Sequence, residues 1–400
     1  MLRERSGKGG HVTNDVAYVV AIFVAIIFIS EIIARVGRLT YPSGRFQSID
    51  GLRGCLALLV FFHHAVIWRK FLTAGVWVSP ESPVLYQFGE GSVAVFFMVT
   101  SFLFGAKILE SNGRQDWLRL YISRALRLWP VYLVVIVAML LEVGYLTNWT
   151  LQEPLRMLIV HVVKLVFFFK ADVNGLANTD MLLAGVTWSL RYEWFFYFML
   201  PIMSMMGGGA FRVWKFLLTA FALVFAWFAH IRLDLLVAFC GGFAALFLLR
   251  FGDQFQKKSD MVLSIGAILM FALSVLVPSR PGFSLTSLGF LAVGFSCIAA
   301  GATVFGLLNL RAIKMLGAAS YGLYLIHGFF LHLVISVMVG RPQAASMSNA
   351  AYWGMVAGIG LISVGFSVLL HHLVEMPCMA ATLKFLRRLR PSVVTLRGKA

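Results

Sequence analysis

The sequence predicts an all-α protein, a polytopic bundle of about eleven transmembrane helices with one further re-entrant or interfacial segment. Two observations carry this prediction. Of the 400 residues, 60% are apolar and only 13% are charged, about half the charged share of an ordinary globular chain, so too little polar surface exists to face water. The apolar residues also gather in stretches near the roughly 20 residues that cross a bilayer as a helix. Together these exclude a soluble fold, a disordered chain and a repeat solenoid, and make the lipid bilayer the first partner.

The stretches run over 16–34, 54–71, 91–110, 128–147, 186–206 and 212–230, then 233–249, 261–277, 284–308, 315–338 and 350–374. The first follows Arg3, Arg5 and Lys8 as a signal peptide does, but it is too long and no small-residue cleavage site follows, so residues 1–45 read as a retained extra anchor. A twelfth segment, 155–170, is short and carries His161 and Lys164. The run Gly207, Gly208, Gly209 reads as a turn between two spans. No linker or repeat divides the chain, and residues 379–400 form a basic tail.

The 34 Lys and Arg against 17 Asp and Glu give a formal charge of +17. In a soluble protein that excess suggests nucleic acid, but in a membrane protein it reports topology, because cytoplasmic loops collect Lys and Arg. With the tail inside, a consistent topology needs two crossings between the loop carrying Arg114 and Arg119 and residue 207. Segment 155–170 then does not cross, 22 basic residues fall inside, 11 outside, and Arg191 lies within a span. The N-terminus falls outside. No nucleic-acid partner is implied. Cys55, Cys240, Cys297 and Cys378 show no metal or disulfide spacing and read as small apolar residues.

Ionisable groups inside spans are expensive and usually face a bundle interior or an aqueous path. Asp50 and Arg53 stand at the inner edge of one span and His63 and His64 inside it. Eleven residues put His64 roughly 16 Å beyond Arg53 on the same helical face, close to three turns away, with His63 rotated by roughly 100°. A histidine there suits general-base work or a plain interhelical hydrogen bond, and for His63 the second reading is favoured. Glu193, five residues after Trp188, requires a partner from another helix, His64 being one possibility, or else ties helices together. Arg191 is too near in sequence to share its face. Arg124 and Arg127 share a helical face and either anchor to anionic headgroups or join Arg53 as a cluster for phosphates, with Pro130 after them able to kink the helix. Ser320, Tyr321, Tyr324 and His327 fall in the first turns of a later span, the two tyrosines reading equally as interfacial aromatics. In the closing HHLVEMP segment, which adds His371, His372 and Glu375, Pro377 is expected to end the last helix.

In this order the residues resemble the acyltransferase 3 family of integral membrane acyltransferases. The resemblance covers residues 46–378 and rests on six motifs. Asp50, Gly51, Leu52 and Arg53 with His64 are similar to its opening motif, and Phe96, Phe97, Thr100 and Ser101 to its Phe-Phe motif, although Ser101 stands where the family has a glycine that allows close helix approach. Arg124, Arg127 and Pro130 resemble its basic motif, and Trp188, Ser189, Leu190 and Glu193 its Trp-Ser-Leu-x-x-Glu. Ser320, Tyr321, Tyr324, Leu325 and His327 resemble its Ser-Tyr motif, and Glu375 with Pro377 its closing Glu-x-Pro.

The resemblance implies a bacterial inner-membrane enzyme that moves an acyl group, expected to be acetyl, from acyl-CoA (acetyl-CoA) on the cytoplasmic side to a hydroxyl of a surface glycan or glycolipid such as lipopolysaccharide. On that reading Arg53, Arg124 and Arg127 hold the donor's phosphates, and His64 with Glu193 is catalytic. Ser320, Tyr321, Tyr324 and His327 are candidates for the acceptor or the oxyanion, and no metal is required. By its residues alone, the polar outer segment 172–180 reads equally as an acceptor face or as a plain solvent-exposed loop. The competing readings are a transporter or flippase of a glycan precursor using the same polar path without chemistry, and a structural scaffold.

Overall fold

The computed structural model describes residues 2–37, 41, 46–205, 208–251, 258–277 and 284–389, and these are helical throughout apart from their connections, with no strand. Arg38, Arg45, Gly207, Lys257, Arg280 and residues 390–400 of the expected basic tail lie outside the described residues.

The helices follow the predicted stretches. They are α1 (Leu2–Val36), α2 (Gln47–Ala74), α3 (Pro83–Glu110), α4 (Trp117–Leu146), α5 (Leu155–Val166), α6 (Trp188–Met203) and α7 (Val213–Phe228). Next come α8 (Leu233–Phe251), α9 (Asp260–Leu276), α10 (Leu285–Ala299), α11 (Arg311–Ala318), α12 (Ser320–His332), α13 (Asn349–Leu370) and α14 (Met376–Leu389).

Among the described residues six helical segments are long and apolar enough to cross a membrane: Asp15–Val36, Gln47–Ala74, Pro83–Glu110, Trp117–Leu146, Ser320–Met338 and Asn349–Thr382. Four shorter apolar helices correspond to α7, α8, α9 and α10, and α6 carries Arg191 and Glu193 where a further span is expected. The protein is therefore a multi-pass integral membrane protein. Large side chains such as Phe216, Leu217, Phe221 and Trp227 on α7 stay exposed, as a lipid-facing surface requires. The 12 residues of α5 span about 18 Å, well short of the roughly 30 Å hydrocarbon core.

Helix α2 is the hub. Of its most apolar window, 83% is buried inside the protein, and its glycines explain how neighbours come so close. A Cβ on Gly51 would lie 2.3 Å from the Leu308 carbonyl oxygen, and one on Gly317 only 2.1 Å from that of Asp50. At Ser101 the small residue stands on the facing helix instead. A Cβ on Gly242 of α8 would meet Ser101 Oγ and the Met98 carbonyl oxygen, each at 2.1 Å. The close approach that the family's glycine would give α3 is thus supplied across the interface by α8.

Helix α1 is fastened to the bundle at two levels. Asp15 accepts from Trp353 Nε1 at 3.0 Å, and Glu31 Oε2 accepts from the Ala312 N–H at 2.7 Å, capping the first turn of α11.

The expectation that Pro377 ends the last helix is overturned. Residues His371–Glu375 form a π turn, and the chain continues as α14 through Pro377. A widened turn tolerates the missing proline N–H because its bonding already departs from the i to i−4 ladder.

Candidate active site

Helices α2 and α12 run side by side in the same direction, and their facing residues meet at three levels. Arg53 Nη2 donates to Ser320 Oγ at 3.1 Å, His64 Nδ1 lies 3.1 Å from His327 Nε2, and the Trp68 and His332 rings stand 5.6 Å apart. The parallel course is what brings two motifs some 260 residues apart in sequence into register.

The middle level is the chemically distinctive one. His64 Nδ1 is 3.0 Å from the Val60 carbonyl oxygen and His327 Nδ1 is 3.0 Å from that of Leu323. A backbone carbonyl only accepts, so in the neutral rings each Nδ1 carries the hydrogen. His327 Nε2 is then an acceptor toward His64 Nδ1–H, and His64 Nε2 keeps its lone pair. His63 is separate. Its Nδ1 donates to the Leu85 carbonyl oxygen at 2.8 Å and its buried ring packs against Gly89, where a Cβ would lie 2.4 Å from the imidazole.

Below the imidazoles lies a cavity of about 120 Å³ between α2, α3, α4, α6 and α12. Arg53, Arg124 and Arg127 line it together with Ser320, Glu193 and Tyr197. Among the described residues Arg124 makes no ion pair and lies over the Phe104 ring at 5.3 Å. Arg127 Nε is 3.3 Å from Glu375 Oε1, whose second oxygen accepts from His371 Nδ1 at 2.9 Å. Arg53 Nη1 is 3.8 Å from Asp50. Val93, Phe96, Phe97 and Tyr324 also line the cavity, and the Tyr324 ring stands 6.2 Å from that of His327.

The structure thus gathers the arginines and Glu193 around one space and His64 with His327 just beyond it. Glu193 does not meet His64. It accepts from Tyr197 on its own helix, while Arg191 turns away and donates to the Ala229 carbonyl oxygen at 2.9 Å. Ser320 lies seven residues below His327 on α12, an axial distance of about 10 Å, so it stands with the arginines rather than with the imidazoles. The Tyr321 hydroxyl donates to the Leu128 carbonyl oxygen at 2.8 Å. Tyr324 bonds Ser189 Oγ at 2.8 Å and the Val186 carbonyl oxygen at 3.1 Å. From the outer segment, the turn Thr179–Leu183 presses onto α12 beside His327, where a Cβ on Gly328 would come within 2.3 Å of the Leu183 backbone.

Two buried ionisable residues were not singled out from the sequence. Glu142 of α4 and His332 of α12, with side chains 2% and 3% exposed, pair at 2.6 Å. Both fall inside predicted spans, and that placement alone marks them.

A multi-pass helical bundle that gathers three guanidinium groups around one cavity and holds the His64–His327 pair beyond it defines a membrane-embedded class of protein. A family model described as an acyltransferase domain, of the acyltransferase 3 type, matches residues 46–372. The chain belongs to that family and is a membrane acyltransferase. No curated protein and no solved structure matches it.

Proposed function

We propose that the protein transfers an acetyl group from acetyl-CoA, bound from the cytoplasmic side, to a hydroxyl of a cell-surface glycan or glycolipid of a bacterial inner membrane. The observation that carries this reading is a cavity lined by three guanidinium groups and, one ring beyond its Tyr324, an imidazole pair whose tautomers leave His64 Nε2 as a base.

Coenzyme A is anionic at its nucleotide end and neutral along its pantetheine arm. Arg124, Arg127 and Arg53 match the phosphates, and Phe96, Phe97, Leu103 and Leu128 match the arm. The thioester then reaches the end nearest the histidines. His64 Nε2 takes the proton of the acceptor hydroxyl as its oxygen attacks the thioester carbon. The C–S bond breaks, and the imidazolium returns the proton to the leaving thiolate, giving free coenzyme A and the ester. His327 Nε2, accepting from His64 Nδ1–H, holds the ring in its productive tautomer and stabilises the imidazolium, as an orienting partner does for a catalytic histidine. Ser320 positions Arg53. In this reading the chain crosses eleven times with α5 not crossing, Arg53, Arg124 and Arg127 face the cytoplasm, where the donor is made, and residues 1–45 serve as an added anchor.

Purified protein offered radiolabelled acetyl-CoA and a panel of glycan acceptors tests this reading. Label in the glycan is expected. Movement of an unmodified glycan precursor with no label transfer supports a flippase instead. Mass spectrometry of surface glycans from a deletion strain identifies the acceptor by the ester that disappears.

A further inference from the structure

One ionisable residue within the bundle has no part in the reaction above. Glu90 of α3 precedes Val93, Phe97, Thr100 and Phe104 by three, seven, ten and fourteen residues, the spacing of one helical face. Those four residues line the cavity, so Glu90 carries the same face one turn beyond it. The residue before it, Gly89, packs on His63, whose ring is 5.2 Å from that of His64, and this sets Glu90 at the level of the imidazoles. Two helices run parallel to α3, and neither extends past that level. Phe97 meets Trp188 and Tyr192 of α6 at 6.4 and 5.9 Å, and Phe104 meets Phe196 and Tyr197. Glu90 lies about 10 Å before Phe97 along the axis, opposite the chain that leads into Trp188, where α6 starts. On the other side Phe97 stacks on Phe239 of α8 at 4.6 Å, and the same offset sets Glu90 across from Arg232, just ahead of α8. Among the described residues the half-buried Glu90 carboxylate makes no hydrogen bond or ion pair. Arg232 and Tyr324 are within electrostatic reach of it, and the Tyr324 ring stands 6.2 Å from that of His327. A carboxylate without a partner in a span is costly unless it faces a polar ligand or an aqueous path.

We infer that Glu90 binds the acceptor: its carboxylate accepts hydrogen bonds from two hydroxyls of a neutral sugar unit and so sets a further hydroxyl at His64 Nε2. This rests on the reading of His64 as the base toward an acceptor hydroxyl. Where α6 and α8 begin, Glu90 is bordered by connecting chain rather than by helices, at the end of its helical face away from the arginines. A carboxylate repels the donor's phosphates, which the arginines hold. Its two oxygens take two O–H donors at once, and bonds to an ionised group are the strong kind. A sugar carries both the donors that fill these oxygens and the hydroxyl that reacts.

The full-length protein in nanodiscs, supplied with acetyl-CoA and with glycan extracted from the deletion strain, is assayed by ester formation while each substrate is varied in turn. Glu90→Ala is expected to raise KM for the glycan about tenfold or more, the loss of charge-assisted bonds. KM for acetyl-CoA and kcat are expected to stay within about twofold of the wild type. Glu90→Gln, which keeps the shape and one accepting oxygen, is expected to raise KM for the glycan by less, and it decides the matter should Glu90→Ala fail to fold. Folded variants with the wild-type KM for the glycan, whether or not kcat falls, overturn the inference and leave His64 as the base. A rise of the same size in KM for acetyl-CoA places Glu90 at the donor and overturns it equally. A wild type that forms no ester with this glycan contradicts the proposed function itself.

Discussion

His327 Nε2 lies 3.1 Å from His64 Nδ1 in the interior of the bundle, and backbone carbonyls fix the hydrogen on Nδ1 of both rings. His64 therefore acts on substrate only through Nε2, and His327 acts only through His64. Replacing His327 by Phe keeps the ring volume and removes the acceptor. We expect kcat to fall about 10²-fold while KM for acetyl-CoA stays within about twofold. A rise in KM with kcat unchanged would place His327 in substrate binding instead.

The three arginines are expected to differ. Arg127 already shares Glu375 and Arg53 is held by Ser320 and Asp50, whereas among the described residues Arg124 makes no ion pair and lies over the Phe104 ring. Arg124→Ala should therefore raise KM for acetyl-CoA most directly, by about tenfold or more, the loss of one charge-assisted bond. Arg124→Lys should recover only part of it, because an ammonium lacks the planar fork. Steady-state kinetics with acetyl-CoA and with the pantetheine thioester lacking the nucleotide separates the cases, since the truncated donor should be indifferent to Arg124.

The Glu142–His332 pair ties α4 to α12, and α12 carries His327. Breaking it on one side leaves a buried polar group without its partner, so Glu142→Ala or His332→Ala should lower stability by about 2–4 kcal/mol. The Glu142→Leu, His332→Leu double variant should be less destabilised than either single alanine variant. Thermal unfolding of detergent-purified protein decides. Additive losses would mean that the two side chains do not depend on each other.

Gly242 and Ser101 make a second structural test. Gly242→Ala should destabilise the α3–α8 contact, because its Cβ meets two atoms at 2.1 Å. Adding Ser101→Gly removes the hydroxyl but not the Met98 carbonyl, so it should not restore stability. Full rescue, read by thermal unfolding, would show that the hydroxyl alone limits the approach.

The helices were legible in the sequence because lipid demands long apolar stretches and satisfied backbones, and every predicted span falls on a helix. Their number of crossings was not, because α7 to α10 are too short for length alone to decide. At the site, Arg53, Arg124, Arg127 and Glu193 could be named singly, since a charge within a span is conspicuous. The clustering of the three arginines was one of two readings their positions allowed, but the place of Glu193 beside them and apart from His64 could not be read, because it depends on which helices pack together. For the same reason His327 was read apart from His64. The reading of Pro377 as a helix stop followed the usual rule for proline, which a π turn evades.

The most direct test of the account is acetyl transfer by His64→Ala, measured in purified protein whose thermal unfolding matches the wild type. The account predicts a loss of at least about 10²-fold in kcat, with acetyl-CoA binding retained because the arginine end of the cavity is untouched. Folded His64→Ala protein that acetylates the acceptor at the wild-type rate would contradict it.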